Sequence, residues 1–258
     1  MRLPRLFIDR PLSLGLQELP ADRAHYLGRV LRRSAGDAVQ LFDGSGLEYL
    51  GELVQSGKTL QVDLQQCVSG LPREQLSIYL GQGLSRGERM DWVIQKATEL
   101  GASSITPIIT ERCEVQLKGE RSEKRLSHWR QIAISACEQC GRSYLPQINP
   151  PQRLADWLAE TVADLKLVLE LQVSIAAPPS NPKSLALLIG AEGGLTADEV
   201  AQAQKCGFAP LQLGPRILRT ETAAVAALSV AQQRWGDFGA VPASYTVATE
   251  VDFLRSKV

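Results

Sequence analysis

The sequence predicts an α/β protein with a mostly parallel sheet, preceded by a small β-rich domain. Three observations predict it. Up to residue 72, short apolar runs are separated by turn signals rich in Gly, Asp and Ser. From residue 76, strand-like and helix-like periods alternate. At 189–199 a glycine-rich turn joins an apolar strand to a helix announced by a Thr196–Glu199 capping box.

In chain order, RLFID, AVQLFD, EYLGELV and TLQVDL read as strands of a small barrel or sandwich, with turns at 35–37, 43–46 and 56–58. Asp22 to Arg33 reads as a helix. CVSGLPREQ (67–75) carries Gly and Pro between periodic segments and marks a domain boundary. LSIYL is then a strand. RGERMDWVIQKATEL is a helix with Trp92, Val93, Lys96, Ala97 and Leu100 on one face and Gly101 at its end. SSITPII is a strand and SEKRLSHWRQIAISACEQC a long helix. LADWLAE (helix), LKLVLEL and LALLIG (strands), TADEVAQAQKC (helix), PLQLG (strand) and TETAAVAALSVAQQRW (helix) complete the domain. From Gly239 no element is evident, and the end reads as a tail.

Composition narrows the function. The 258 residues balance 28 Lys+Arg against 28 Asp+Glu, so any nucleic-acid contact rests on local charge. Such charge exists: Arg23, Arg29, Arg32 and Arg33 fall in one stretch without an acid. The two histidines, His25 and His128, lie far apart, which argues against a His-rich metal centre. Cys137 and Cys140 form one C-x-x-C without a second pair, on a predicted helix. Packing is the favoured reading and no metal is expected. No run approaches the ~20 apolar residues of a membrane span. The N-terminus has no apolar signal region, so the expected compartment is the cytoplasm.

Ligands of open parallel sheets bind outside the carboxyl ends of the strands. Three loops are therefore candidates. LGQGLSRGER (80–89) approximates a dinucleotide fingerprint but has Arg86 where the third Gly is needed. A plain turn is favoured there, with a Rossmann-type methyltransferase or dehydrogenase as the alternative. IGAEGGLTADE (189–199) offers backbone amides and one acid, Glu192, beside a helix start. LGPRILRTETAAVAALSVAQ (213–232) places Arg216 and Arg219 before a helix of small residues, where a guanidinium can clamp a carboxylate or phosphate, stabilise another anion, or be merely solvated.

LLIGAEGG (187–194) followed by LGPRILRTETA (213–223) resembles the paired C-terminal motifs of the SPOUT methyltransferases, most closely the RsmE family of small-subunit ribosomal RNA uracil-N3 methyltransferases. RVLRRSAGDAVQLFDGSG (29–46), QKATELGASSITPIITERC (95–113) and ACEQCGRSYLPQI (136–148) match as well, so the resemblance spans about residues 2 to 238. Cys140 stands where the family often has Ser, which argues against a required thiol.

The resemblance implies a PUA-like, RNA-binding β-barrel over 1–72 and a SPOUT domain with a trefoil knot over 73–238, with 239–258 as a tail. It implies a homodimer without metal or membrane that methylates uridine N3 in the decoding region of 16S ribosomal RNA, in the assembled small subunit. S-adenosylmethionine would be bound by Leu169, Glu170, Ile189, Gly190, Glu192, Gly193, Leu213, Gly214, Ile217, Leu218, Arg219 and Thr220. Arg219 is expected to stabilise an anion and Glu192 to act as base or to orient the cofactor. Glu138, Gln139 and Arg142 are expected to add catalytic contacts, within the chain or across the dimer, and Arg5, Arg29, Arg32 and Arg33 to contact RNA phosphates. Another RNA nucleotide, or a non-catalytic assembly factor, are the alternatives.

Overall fold

A computed structural model describes residues 3–57, 59–115, 119–170 and 181–239. The expected tail lies outside these residues apart from Gly239. Two compact units are present. One runs to Arg73 and also takes in Cys137–Tyr144; the other comprises Glu74–Ala136 and continues from Leu145.

The first unit is built on a five-stranded sheet. Its strands are β1 (Arg5–Phe7), β2 (Gly15–Glu18), β3 (Ala38–Phe42), β4 (Leu47–Ser56) and β5 (Thr59–Ser69), in the order β1-β3-β4-β5-β2. Only the β1–β3 pair is parallel. Strand β2 was not expected from the sequence, because Gly-Leu-Gln-Glu is short and mostly polar. Gly51 sits at a register shift in β4, where a Cβ would stand 2.3 Å from the Asp63 carbonyl oxygen. Leu6, Ile8, Leu27, Val39, Leu41, Leu53, Val62 and Leu64 form the core.

The expected helix near 22–33 is α1 (Ala21–His25) followed by a π-helical turn over Tyr26–Val30. The Arg33 amide closes it by donating to the Leu27 carbonyl at 2.9 Å. This leaves Arg32 at φ 53°, the single non-Gly residue with positive φ among the described residues. Side chains in this region cost about 1–2 kcal/mol, against a smaller unfolded-state penalty for Gly. Arg32→Gly is therefore expected to raise stability by about 0.5–1 kcal/mol, read as a higher urea midpoint.

Arg5 corrects an expectation. It is not available to RNA: its side chain is turned into the unit and is 5% exposed. Its Nη2 donates to Glu48 Oε1 at 2.8 Å and to the Arg142 carbonyl at 2.8 Å. Its Nη1 donates to the Cys137 carbonyl at 2.6 Å, and the guanidinium lies 3.8 Å from the Phe42 ring centre. Ser143 Oγ and Gln40 Nε2 also donate to Glu48. All of β1 is buried, so no alternation marked Arg5 as inward-facing.

The second unit has an all-parallel sheet. Its strands are β6 (Ser77–Gly83), β7 (Ala102–Ile109), β8 (Gln147–Ile148), β9 (Gln152–Arg153), β10 (Leu165–Leu169), β11 (Ser184–Ile189) and β12 (Ala209–Leu211). The order is β12-β10-β11-β6-β7-β8, with β9 beside β7. The helices are α2 (Glu88–Glu99), α3 (Glu120–Cys140), α4 (Leu154–Glu160), α5 (Ala197–Lys205) and α6 (Thr220–Trp235). Both faces of the sheet are covered, which explains the continuous apolar strands. In β11, Leu185, Leu187 and Ile189 join the core formed with α2, α3 and α6, while Ala186 and Leu188 join that of α4 and α5.

Helix α2 buries Met90, Val93, Ile94, Ala97 and Thr98. The predicted face is therefore rotated: Trp92 is 40% exposed, and Lys96 pairs with Glu99 at 2.8 Å. The small residues Ala223, Ala224, Ala227 and Ala231 of α6 are buried as expected, in the core α6 shares with α2. No described helix is long and apolar enough to cross a membrane.

Candidate functional site

The neighbouring strands β12, β10 and β11 end at Leu211, Leu169 and Ile189, and the loops beyond them surround a cavity of about 740 Å³. Leu169, Glu170, Ile189, Gly190, Glu192, Gly193, Leu213, Gly214, Ile217, Leu218, Arg219 and Thr220 all line it. So do Arg89, Arg112, Ala191, Gly194, Leu195, Arg216, Glu221 and Ala223, which were not among the expected binding residues.

The 190–194 loop is a tight turn: the Gly194 amide donates to the Ala191 carbonyl at 2.9 Å with Gly194 at φ 68°. Beyond it the expected capping box starts α5. Thr196 Oγ1 accepts from the Glu199 amide at 3.2 Å and the Glu199 carboxylate from the Thr196 amide at 2.8 Å.

Two arginines distant in sequence hold this loop. Arg89 Nη1 donates to Glu192 Oε1 at 2.8 Å, joined by the Arg86 amide at 3.1 Å. Arg112 Nη1 donates to the Gly193 carbonyl at 2.9 Å. Burial pushes the Glu192 carboxyl up, but the Arg89 hydrogen bond and the backbone amides outweigh it and hold it below the ordinary carboxylate range. Nothing in local periodicity points to Arg89 or Arg112; their partners lie 103 and 81 residues away.

Gln82, fully buried, ties the loops together. Its Nε2 donates to Thr220 Oγ1 at 2.8 Å, and that hydroxyl donates to the Gly190 carbonyl at 2.6 Å. Arg216 and Arg219 are exposed, and neither guanidinium has a partner among the described residues.

The 80–89 loop is a turn, as favoured. Of its residues only Arg89 lines the cavity. A Cβ on Gly81 would meet the Trp157 ring at 2.7 Å, and one on Gly83 the Ala191 nitrogen at 2.1 Å, so both glycines serve packing. Arg86 is exposed and pairs with Glu114.

Glu138 and Arg142 belong to the first unit and do not line the cavity. Glu138 Oε1 accepts from the Phe7 amide at 3.0 Å and from Arg23 Nη1 at 3.2 Å. Burial pushes its carboxyl up, and the Phe7 amide with the Arg23 and Arg5 charges opposes this only in part. Arg142 is buried, and its carbonyl accepts from Arg5. Gln139 does not line the cavity either. Arg29 and Arg32 are exposed and Arg33 is half-buried. Cys137 is buried, its thiol near the Tyr144 carbonyl.

An RNA methyltransferase domain model matches residues 72–232, and an RNA methyltransferase PUA domain model matches residues 19–65. The ribosomal RNA small subunit methyltransferase E of Buchnera aphidicola subsp. Schizaphis graminum is 35% identical over 242 residues, 92% of this chain and 98% of its own. This chain belongs to the ribosomal RNA small subunit methyltransferase E family. The Bacillus subtilis member of the family is 33% identical over 82% of this chain and 87% of its own. The Neisseria gonorrhoeae member, crystallised bound to S-adenosyl methionine, is 36% identical with a TM-score of 0.83, covering 92% of this chain and 99% of its own. A Legionella pneumophila protein crystallised with the bound cofactor SAM is 39% identical with a TM-score of 0.88, covering 92% and 100%.

Proposed function

We propose that this chain methylates N3 of a uridine in the decoding region of 16S ribosomal RNA, using S-adenosylmethionine and acting on the assembled small subunit. The observation that carries the reading is the one cavity lined by both motif loops, at the carboxyl ends of three adjacent strands. The residues fit a nucleoside bearing a cation. Gly214, at φ 90°, has no heavy atom within 4 Å of a Cβ position, leaving main chain bare beside Leu213, Ile217 and Leu218 for a flat ring. Glu170 and Glu192 place carboxylates around the same space. Leu169, Ile189, Gly190, Gly193 and Thr220 complete the proposed binding set. The bound cofactor supplies a methyl carbon activated by its positive sulfur.

Uridine N3 carries a proton at neutral pH. Methylation needs that proton removed and the charge developing on the uracil oxygens stabilised. Arg219, with its uncommitted guanidinium, is the proposed stabiliser. Glu192 is assigned to orienting the cofactor loop, since a carboxylate held ionised by Arg89 and an amide is a weaker base.

A titration with S-adenosylhomocysteine tests the cofactor site. The natural protein is expected to bind, and Gly190→Val to bind at least about tenfold more weakly, a cost near 1.4 kcal/mol. A Cβ at Gly190 would lie 2.8 Å from the Gly194 carbonyl carbon. No binding by the natural protein would instead favour a non-catalytic RNA-binding factor.

The trefoil knot, homodimer and cytoplasmic location belong to the same proposal. The close main-chain approaches of Gly83 to Ala191 and of Gly190 to Gly194 support a chain threaded tightly at this point. Arg29, Arg32 and Arg33 are the proposed phosphate contacts. Replacing all three with Ala is expected to flatten the salt dependence of RNA binding by about 2 in log–log slope, from about 0.7 per contact. An unchanged slope contradicts the assignment.

A further inference from the structure

Glu221, the second residue of α6, lines the cavity, and the mechanism above leaves it unused. Its Oε2 is buried and has no hydrogen-bond partner among the described residues. Burying an acceptor without a donor is costly, and such orphans in native proteins call for an explanation. The other cavity carboxylates are engaged. Glu192 accepts from Arg89 and the Arg86 amide, and Glu170 has a partner of its own. Glu221 thus lines the cavity as a carboxylate with no donor among the described residues, close enough for its charge to act on Arg89.

If uridine is the substrate, as proposed above, it brings an N–H into this space: the N3–H that must be broken. We propose that Glu221 is the catalytic base, its carboxylate accepting the proton from uracil N3. The N3–H bond breaks and its electron pair stays on nitrogen, where it takes up the methyl group. The proton forms an O–H bond with the carboxylate and passes to solvent after turnover. Arg219, two residues earlier, lines the same cavity to offset the charge spreading onto the uracil oxygens.

The test uses the full-length protein, small ribosomal subunits lacking the modification, and two variants, Glu221→Gln and Glu221→Asp. Glu221→Gln keeps the shape but cannot take the proton. Its single-turnover rate is expected to fall by about 10²–10⁴, with S-adenosylhomocysteine affinity by calorimetry unchanged within about twofold. Its residual rate is expected to keep climbing with pH as solvent hydroxide replaces the base, whereas the natural protein levels off. Arg89, Arg112, Glu170, Glu192, Arg216 and Arg219 share the cavity, so the two proteins are compared at equal salt. Glu221→Asp, the conservative change, is expected to recover part of the rate. A Glu221→Gln rate within about tenfold of the natural one overturns the proposal. So does cofactor affinity falling in step with the rate, which would assign the oxygen to the cofactor. If thermal melting shows Glu221→Gln unfolded, a normal rate in Glu221→Asp, with its shorter reach, overturns it equally. If the natural protein forms no N3-methyluridine, it is the substrate assignment that fails, a result visible before any variant is compared.

Discussion

Arg5→Met is expected to lower stability by about 3–5 kcal/mol, measured by urea unfolding, as when one partner of a buried ion pair is removed. The magnitude follows from what is left behind. Glu48 is 4% exposed and would keep a negative charge with only Ser143 and Gln40 as donors. The carbonyls of Cys137 and Arg142 would lose their guanidinium donor, and Phe42 the cation above its ring. Methionine fills much of the volume, so the loss reports charge and hydrogen bonding rather than a cavity. A surface arginine waiting for phosphate would cost ~0–1 kcal/mol. A loss in that lower range would contradict the structural role assigned to Arg5.

Arg219→Ala is expected to lower kcat by about 10²–10³, the usual cost of removing one donor from a developing oxyanion. S-adenosylhomocysteine affinity should stay within a few-fold, because the cofactor contacts proposed for Arg219 are main-chain ones. The Arg219 carbonyl also keeps its bond from the Ala223 amide at 2.8 Å, so the start of α6 is not dismantled. Arg219→Lys should recover only part of the rate, since an ammonium is a point charge without the planar fork. Full activity in Arg219→Ala, or a loss confined to cofactor affinity, would remove the anion-stabilising role.

Much of the fold was legible because it is written in local pattern. The Thr196–Glu199 box starts α5 at Ala197, and the small residues of α6 mark its buried face. The strand–helix alternation of the second unit announced a mostly parallel sheet. The cavity residues came from the resemblance, since spacing alone nominated three loops, with a plain turn favoured for the first. What stayed hidden depends on long-range pairing. Arg5 reads as a basic residue near the N-terminus until Glu48 and Ser143 close around it. The partners of Glu138, the Phe7 amide and Arg23, are hidden in the same way. The segment Cys137–Tyr144 joins the first unit although it starts in the last turn of α3, a helix that begins in the second. Arg89, Arg112 and Gln82 shape the cavity loops from the ends of other elements, with no periodic signal to show it. The rotated face of α2 is a smaller error of the same kind: Trp92 is apolar enough to count as core, yet Met90 and Ile94 hold that side.

The zero net charge also takes on a structural meaning. Part of the basic charge, Arg5 and Arg23, is neutralised within the first unit by Glu48 and Glu138. Arg29 and Arg32 remain exposed. Affinity for naked RNA should therefore be modest, with recognition depending on a folded ribosomal surface.

The central claim is tested most directly by mapping the product. Small ribosomal subunits from a strain lacking this protein are incubated with it and with methyl-labelled S-adenosylmethionine, and the 16S RNA is digested and analysed by mass spectrometry. Label is expected at a single nucleotide in the decoding region, as N3-methyluridine. Label on another base or at another position, or no label at all, would contradict it.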